Sequence, residues 1–314
     1  MDSTQAGSTG PGTRPDPAQD PHGVPLLELR GLSKHFGGVT ALDSMDLKLY
    51  PQEIVAIVGD NGAGKSTLIK AISGTQPPDA GSFFFDGAPV DIRTPNDASR
   101  VGIETVYQDL ALCDNLNTMQ NLFLGSEILT PLMAGRRLNH ALMEKIARET
   151  LRVLGVTTIR SLRTPAGRLS GGQRQGIAIC RCIIRQPKVV LLDEPTAALG
   201  VEQRQGVVRL IKRLKSEQRS IIVISHDLHD VVLEVADRVV VLRLGRKAAE
   251  FRRQDINVSD LVAAITGVQR RSAESPSRHP DRPGPTAVCA VGSRALTPPE
   301  RLRMPKRPSS HRPP

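Results

Sequence analysis

The sequence of 314 residues has no tryptophan, and aromatic residues make up only 3% of it. No aromatic interleaves the arginines of its basic C-terminal stretch, which excludes a stacking platform for single-stranded nucleic acid there. No run of 18 apolar residues occurs, so no segment has the hydropathy of a membrane span. The opening residues carry Asp2, Asp16 and Asp20 among Pro and Gly, without the basic and apolar regions of a secretory signal, and no such leader is expected. The four cysteines (Cys113, Cys180, Cys182 and Cys289) form no CxxC pair and have no histidine at zinc spacing. Neither a disulfide framework nor a zinc site is expected, and the cysteine usage fits a reducing, cytosolic compartment. Cys180 and Cys182 fall two apart on one predicted helix, so they point to different sides and read as small packing residues.

Charge is present but uneven. The net charge is +10, yet residues 268–314 alone hold ten Lys/Arg against three Asp/Glu, with ten of the 24 prolines. Residues 1–24 hold one Arg and three Asp. Neither end has the apolar surface to offset the entropy of ordering, so 1–24 and 268–314 are expected to be disordered tails. The basic tail reads as a solvated appendage; contact with anionic lipid headgroups or RNA is the alternative.

The folded part is then expected at 25–267, with no internal repeat. Leu26–Arg30 and Met45–Tyr50 alternate like strands, and Phe83–Phe85 with Ala88–Ile92 reads as a hairpin around Asp86-Gly87. Glu53–Val58, Lys188–Asp193, Ser220–Ser225 and Arg238–Leu242 are short apolar runs suited to buried parallel strands. Thr67–Ser73 has helical spacing, and His140–Leu154 reads as an amphipathic helix with Leu142, Ile146, Leu151 and Leu154 on its apolar side. Strands alternating with helices predict an α/β fold with a mostly parallel sheet core.

Two motifs carry chemistry directly. Gly59-Asp60-Asn61-Gly62-Ala63-Gly64-Lys65-Ser66-Thr67 fits G-x-x-x-x-G-K-[ST] between a predicted strand and a predicted helix. Glycines let backbone N–H groups turn toward a phosphate, and the helix N-terminus adds partial positive charge. Lys65 is expected to reach the β- and γ-phosphates, and the Ser66 hydroxyl to ligate Mg²⁺. In Val189-Val190-Leu191-Leu192-Asp193-Glu194-Pro195, a buried strand ends on two carboxylates, where open α/β sheets bind ligands. Asp193 can hold Mg²⁺ through water, and Glu194 can orient or deprotonate an attacking water.

A third motif, Leu169-Ser170-Gly171-Gly172-Gln173, resembles the LSGGQ signature of the ABC ATPase family, and the resemblance covers nearly all of 26–267. It implies an ABC-type P-loop ATPase with a β-rich N-terminal subdomain, a parallel core and a helical subdomain at about 109–168. In family order, Phe36 resembles the aromatic that stacks on adenine. Gln108 resembles the glutamine that touches Mg²⁺ and water, and His226 the switch histidine near the γ-phosphate. Alone, each has a plainer reading: Phe36 as core, Gln108 as a solvated loop residue, His226 as a capping residue. Ser170, Gly171, Gly172 and Gln173 would serve ATP bound by the opposite subunit, so the resemblance implies a head-to-tail dimer with ATP between two copies.

One departure stands out. Where the family usually has an Asp contacting the partner subunit, this chain has Gly200. The surrounding Glu194–Gly200, together with Gly102–Gln108 and Asn121-Leu122-Phe123-Leu124-Gly125, resembles bacterial sugar importers of the ribose, xylose and fructose type with a single ATPase copy. The implied role is to bind and hydrolyse ATP, with Mg²⁺, for a membrane sugar importer. Its partners would be integral-membrane permease subunits, a second copy and, indirectly, a sugar-binding protein, at the cytoplasmic face of the plasma membrane. Met119–Leu124 and Leu129–Met133 are candidates for the docking groove. A soluble ABC ATPase acting on nucleic acid or ribosomes is the alternative, and a small-molecule kinase using the same phosphate loop is a further one.

Overall fold

The computed structural model describes residues 23–130, 137–197 and 199–267, with backbone alone at 229 and 230. Apart from Gly23 and Val24, the expected tails lie outside the described residues. The chain divides into two units, and all described residues belong to the first, Met1–Arg270.

Strand β1 (Leu27–Phe36) pairs antiparallel with β2 (Val39–Leu49), and β3 (Ile54–Val58) leads through a glycine-rich loop into α1 (Lys65–Ile72). Strands β4 (Ala80–Phe85) and β5 (Ala88–Val90) form the expected hairpin. Its turn residues Asp86 and Gly87 both have positive φ, 49° and 77°, the geometry a two-residue turn needs to match strand twist. Helix α2 (Pro95–Val101) and strand β6 (Ile103–Val106) follow. Helix α3 (Thr118–Phe123), the short strands β7 (Leu129–Thr130) and β8 (Arg137–Leu138), and helix α4 (His140–Val153) come next. The chain continues through α5 (Gly171–Ile184), β9 (Val189–Asp193), α6 (Val201–Ser216) and β10 (Ser220–Ile224). It closes with the single turn α7 (Leu233–Val235), β11 (Arg238–Arg243), β12 (Arg246–Arg252) and α8 (Val258–Thr266).

One sheet, ordered β2-β1-β4-β5, is antiparallel and makes the β-rich N-terminal part. The central sheet is ordered β12-β11-β3-β10-β9-β6, parallel except for the edge strand β12. Its inner strands β3, β9, β10 and β11 are buried on both faces, which is why they read as unbroken apolar runs rather than alternating ones. Ile54, Ala56, Val58, Val190, Leu192, Ile221, Val223, Val239 and Val241 enter one core with α3, α4, α5 and α6. Val55, Ile57, Val189, Leu191, Ile222, Ile224, Val240 and Leu242 enter the other with α1, α2 and the antiparallel sheet. The period of two along each strand sorts these residues between the layers. Each fully buried aliphatic side chain stabilises the fold by about 1.5–3 kcal/mol.

One detail differs from expectation. The buried face of α4 runs through Met143, Ala147 and Leu151, continuing to Leu154, whereas Leu142 is exposed. Leu151 and Leu154 are buried as expected and Ile146 is partly buried against the core, while Met143 and Ala147 rather than Leu142 complete the inner face. Helix α5 shares a core with α3 and α4. Cys180 and Cys182 are both buried as free thiols in α5. Burial pushes the Cys182 thiol up to about 12 and raises that of Cys180 as well, so they are inert packing groups.

Candidate functional site

Register alone brings four loops to one edge. Ile224 of β10 lies opposite Ile57 of β3 on one side and Asp193 of β9 on the other, and Val106 of β6 lies opposite Leu192. The strands run the same way, so the glycine loop, His226, Asp193-Glu194 and Gln108 all leave the carboxyl edge at one level. That edge is where an open α/β sheet binds ligands.

The glycine loop is shaped by close packing from behind. Gly59 has φ 153°, and a Cβ there would run into the carbonyl oxygen of Leu242. Gly64, at φ 104°, caps α1, and a Cβ there would lie 2.5 Å from the Ala41 carbonyl oxygen. The turn between β11 and β12 joins the same contact, with Gly245 N–H donating to Ala63 at 3.0 Å. Asp60, Asn61, Gly62 and Ser66 face solvent, while Ala63 and Lys65 are buried and Thr67 is half-buried. The Lys65 ammonium donates to the carbonyls of Gly59 at 2.7 Å and Asp60 at 2.9 Å, so it lies in the mouth of the loop.

Asp193 is buried at the end of β9, and its Oδ1 has no hydrogen-bond partner. Burial, then the neighbouring Glu194, raise its pKa, while Lys70 and Lys65 oppose them. Glu194 has φ 50°, a left-handed backbone that is uncommon for a residue with a Cβ and is kept at functional sites by surrounding structure. Its N–H donates to Ile224 at 3.1 Å, which fixes the reversal. Its Oε2 lies 2.7 Å from Nδ1 of the exposed His226, close enough for ion pairing although the alignment falls short of a hydrogen bond.

Gln108 is exposed in the turn after β6. Phe36 ends β1, is 44% exposed, and pairs with Val39 on the same strand end as Ala41, which abuts the glycine loop. The neighbouring Lys34 and the His35 N–H anchor this end to Asp79 and hold its carboxyl down at about 2.

Ser170–Gln173 are not part of this edge. They open α5 as a capping box: Ser170 Oγ accepts from Gln173 N–H at 3.3 Å, and Gln173 Oε1 accepts from Ser170 N–H at 3.0 Å. The S-x-x-Q spacing already contained this cap, a signal the motif reading passed over. Gly171 and Gly172 allow close approach to Leu199 and Gln203, since a Cβ would meet them at 3.0 and 3.2 Å. Gly200 caps α6 without a side chain. Three residues to which the motifs gave no individual role also shape the site: Tyr107 bonds Thr75 ahead of Gln108, and Asn121 and Arg181 bond the segment after it.

Fold and edge together define a phosphate-loop nucleotide hydrolase. The chain belongs to the ABC transporter family, whose model matches residues 42–197. It is 47% identical over 254 residues to the fructose import ATP-binding protein of Rhizobium meliloti, covering 80% of this chain and 97% of that one. It is 39% identical over 243 residues to the xylose/arabinose import ATP-binding protein of Sulfolobus acidocaldarius, covering 77% of this chain and 94% of the relative. Among solved structures it is similar to a nucleotide-free ATP-binding cassette from an ABC transporter, with TM-score 0.66 and 25% identity, covering 76% of this chain and 98% of that one. As a member of this family the chain is an ATPase whose hydrolysis is coupled to transport. The nucleic-acid alternative gains no support from these relatives.

Proposed function

We propose that this chain is the ATP-binding and ATP-hydrolysing subunit of a membrane sugar importer, driven by closure of two copies over two ATP molecules. The observation that carries the reading is the convergence of Lys65, Asp193, Glu194, His226 and Gln108 at one carboxyl edge. A second phosphate-type helix start, Ser170–Gln173, lies apart from it, beside Leu199 and Gln203. One chain needs one loop for its own phosphates, so the second start suits the nucleotide of another copy.

In this reading Phe36 takes the adenine face, and the loop from Gly59 to Thr67 takes the phosphates. Lys65 exchanges two neutral carbonyls for phosphate oxygens, a stronger charge-assisted contact. Ser66, Asp193 and Gln108 would hold Mg²⁺, which would neutralise charge on the β- and γ-phosphates. The unpartnered, buried Oδ1 of Asp193 fits that use. Mg²⁺ is commonly held by one or two carboxylates together with substrate phosphates and waters, which a single buried carboxylate here would suit. Glu194 orients the attacking water and accepts its proton as the bond between β- and γ-phosphoryl groups breaks. His226 and Gln108 stabilise charge on the γ-phosphoryl.

The sugar class follows from the relatives, whose names specify fructose and xylose/arabinose. Permease subunits are the direct partners and a sugar-binding protein an indirect one, at the cytoplasmic membrane face. No helix of the described residues is long and apolar enough to cross a membrane, so attachment is peripheral in this reading. Leu129 and Leu138 face each other across β7 and β8 and, with Leu124 and Leu142, are exposed apolar groups suited to docking. Leu122 and Phe123 are core instead, and 131–133 lie outside the described residues.

Isolating the tagged chain from gently solubilised host membranes tests the proposal. A polytopic permease and a sugar-binding protein are expected with it. Recovery only from the soluble fraction, bound to ribosomes or DNA, would discard the transporter role.

A further inference from the structure

Gln108 sits in a four-residue turn closed by Leu110 N–H donating to the Tyr107 carbonyl at 3.0 Å. The next two residues, Leu110 and Ala111, both have left-handed backbone, φ 58° and 45°. Neither is Gly, Asn or Asp, the residues that tolerate this conformation, so something else must hold it. Both carbonyls accept from one side chain on α5. Arg181 Nη2 donates to Leu110 at 2.8 Å and Nη1 to Ala111 at 2.7 Å.

Packing supports only one side of the turn: Leu110 is partly buried against the helical core, and Ala111 is not. The turn stands beside a cavity of about 220 Å³ lined by Glu104, Tyr107, Ala111, Arg181 and Arg185, among others. Upstream, Tyr107 Oη is 2.9 Å from Thr75 Oγ1, which is 3.0 Å from Ser73 Oγ at the end of α1. Downstream, buried Asn121 bonds the Cys113 N–H and the carbonyls of Cys113, Leu116 and Asn117. The segment is thus pinned to the helix that follows the phosphate loop, to α3, and, through Arg181, to the helix that begins at Ser170.

We infer that Arg181 is a positioning residue. Its rigid two-pronged guanidinium holds the left-handed turn that presents Gln108 to the catalytic edge, and it ties that turn to α5. A movement of α5 therefore carries the turn with it. A lysine offers a point donor and cannot match two carbonyls in a fixed fork. The inference rests on the role proposed for Gln108.

The test measures kcat and KM for Mg-ATP in the full chain isolated with its membrane partners. Arg181→Met is expected to lower kcat about 10- to 100-fold, the scale of a small misplacement of a catalytic group. KM is expected to stay within about twofold, because the phosphate loop is untouched. In a Gln108→Ala background the Arg181→Met loss should vanish, since both changes act through one group. Arg181→Lys should recover part of kcat, and its comparison in the two backgrounds decides the matter if Arg181→Met does not fold. Additive losses in the double variant, or an effect on KM alone, would overturn the inference while leaving the Gln108 role intact. Full kcat in Gln108→Ala would overturn both.

Discussion

At Glu194 the backbone reverses with φ 50°, and the carboxylate that follows is brought to His226 Nδ1 at 2.7 Å. The Glu194→Gln change keeps shape and loses only the proton acceptor. We expect it to bind ATP normally and hydrolyse it about 10²- to 10⁴-fold more slowly, the range for a lost general base. Phosphate release beside equilibrium nucleotide binding measures this, and wild-type turnover would refute the role. Lys65→Ala has the opposite profile. Its ammonium lies in the mouth of the loop, and charge-assisted hydrogen bonds are worth about 1.5–3 kcal/mol, so ATP affinity should fall about 10- to 100-fold. Unchanged binding would sink that assignment. The motif spacing made both residues visible in the sequence. The left-handed backbone of Glu194 was not visible, because it depends on the bond to Ile224 of a neighbouring strand.

At the scale of elements, caps separate what is optimised from what is not. Helix α5 starts with a complete capping box, and α6 starts on Gly200, which has φ −67°, ψ 166° and open space around a Cβ. An Asp fits that backbone and would accept a first-turn N–H. Gly200→Asp is expected to stabilise the chain by about 0.5 kcal/mol, from the cap and the helix dipole together. The denaturant midpoint should rise with an unchanged m-value, and a lower midpoint would show that the site needs glycine for another reason. Helix α4 shows the limit of periodicity. Its existence, its bounds and the inward Leu151 and Leu154 were legible from spacing, but that Met143 and Ala147 face inward while Leu142 is exposed follows from packing against the other helices.

At the scale of the whole molecule, the catalytic edge and the Ser170–Gln173 helix start are separate surfaces, and a second copy joins them in the proposed reaction. Gly172→Asp places a charge where the partner's phosphates would sit, while its Cβ meets Gln203 at 3.2 Å, which requires a shift of only a few tenths of an ångström. Nucleotide binding to the chain's own loop should therefore survive. In a Glu194→Gln background with ATP, the dimer seen by light scattering should disappear. Persistence of that dimer would remove Ser170–Gln173 from the interface.

Local sterics and periodicity are written into the chain directly. Glycines at 59, 62 and 64 specify a turn that other residues cannot make, apolar runs specify strands buried on both faces, and the S-x-x-Q spacing specifies a helix cap. Which of these local pieces meet is settled by packing between elements. Parallel register sets Asp193, Ile224 and Val106 at one level, so residues distant in sequence share an edge. The hold of Arg181 on Leu110 and Ala111, the anchoring of Phe36 through Asp79, and the inward placing of Met143 and Ala147 in α4 were likewise not legible in the sequence. Each depends on a contact between elements, and long-range contacts leave no period in the chain that makes them.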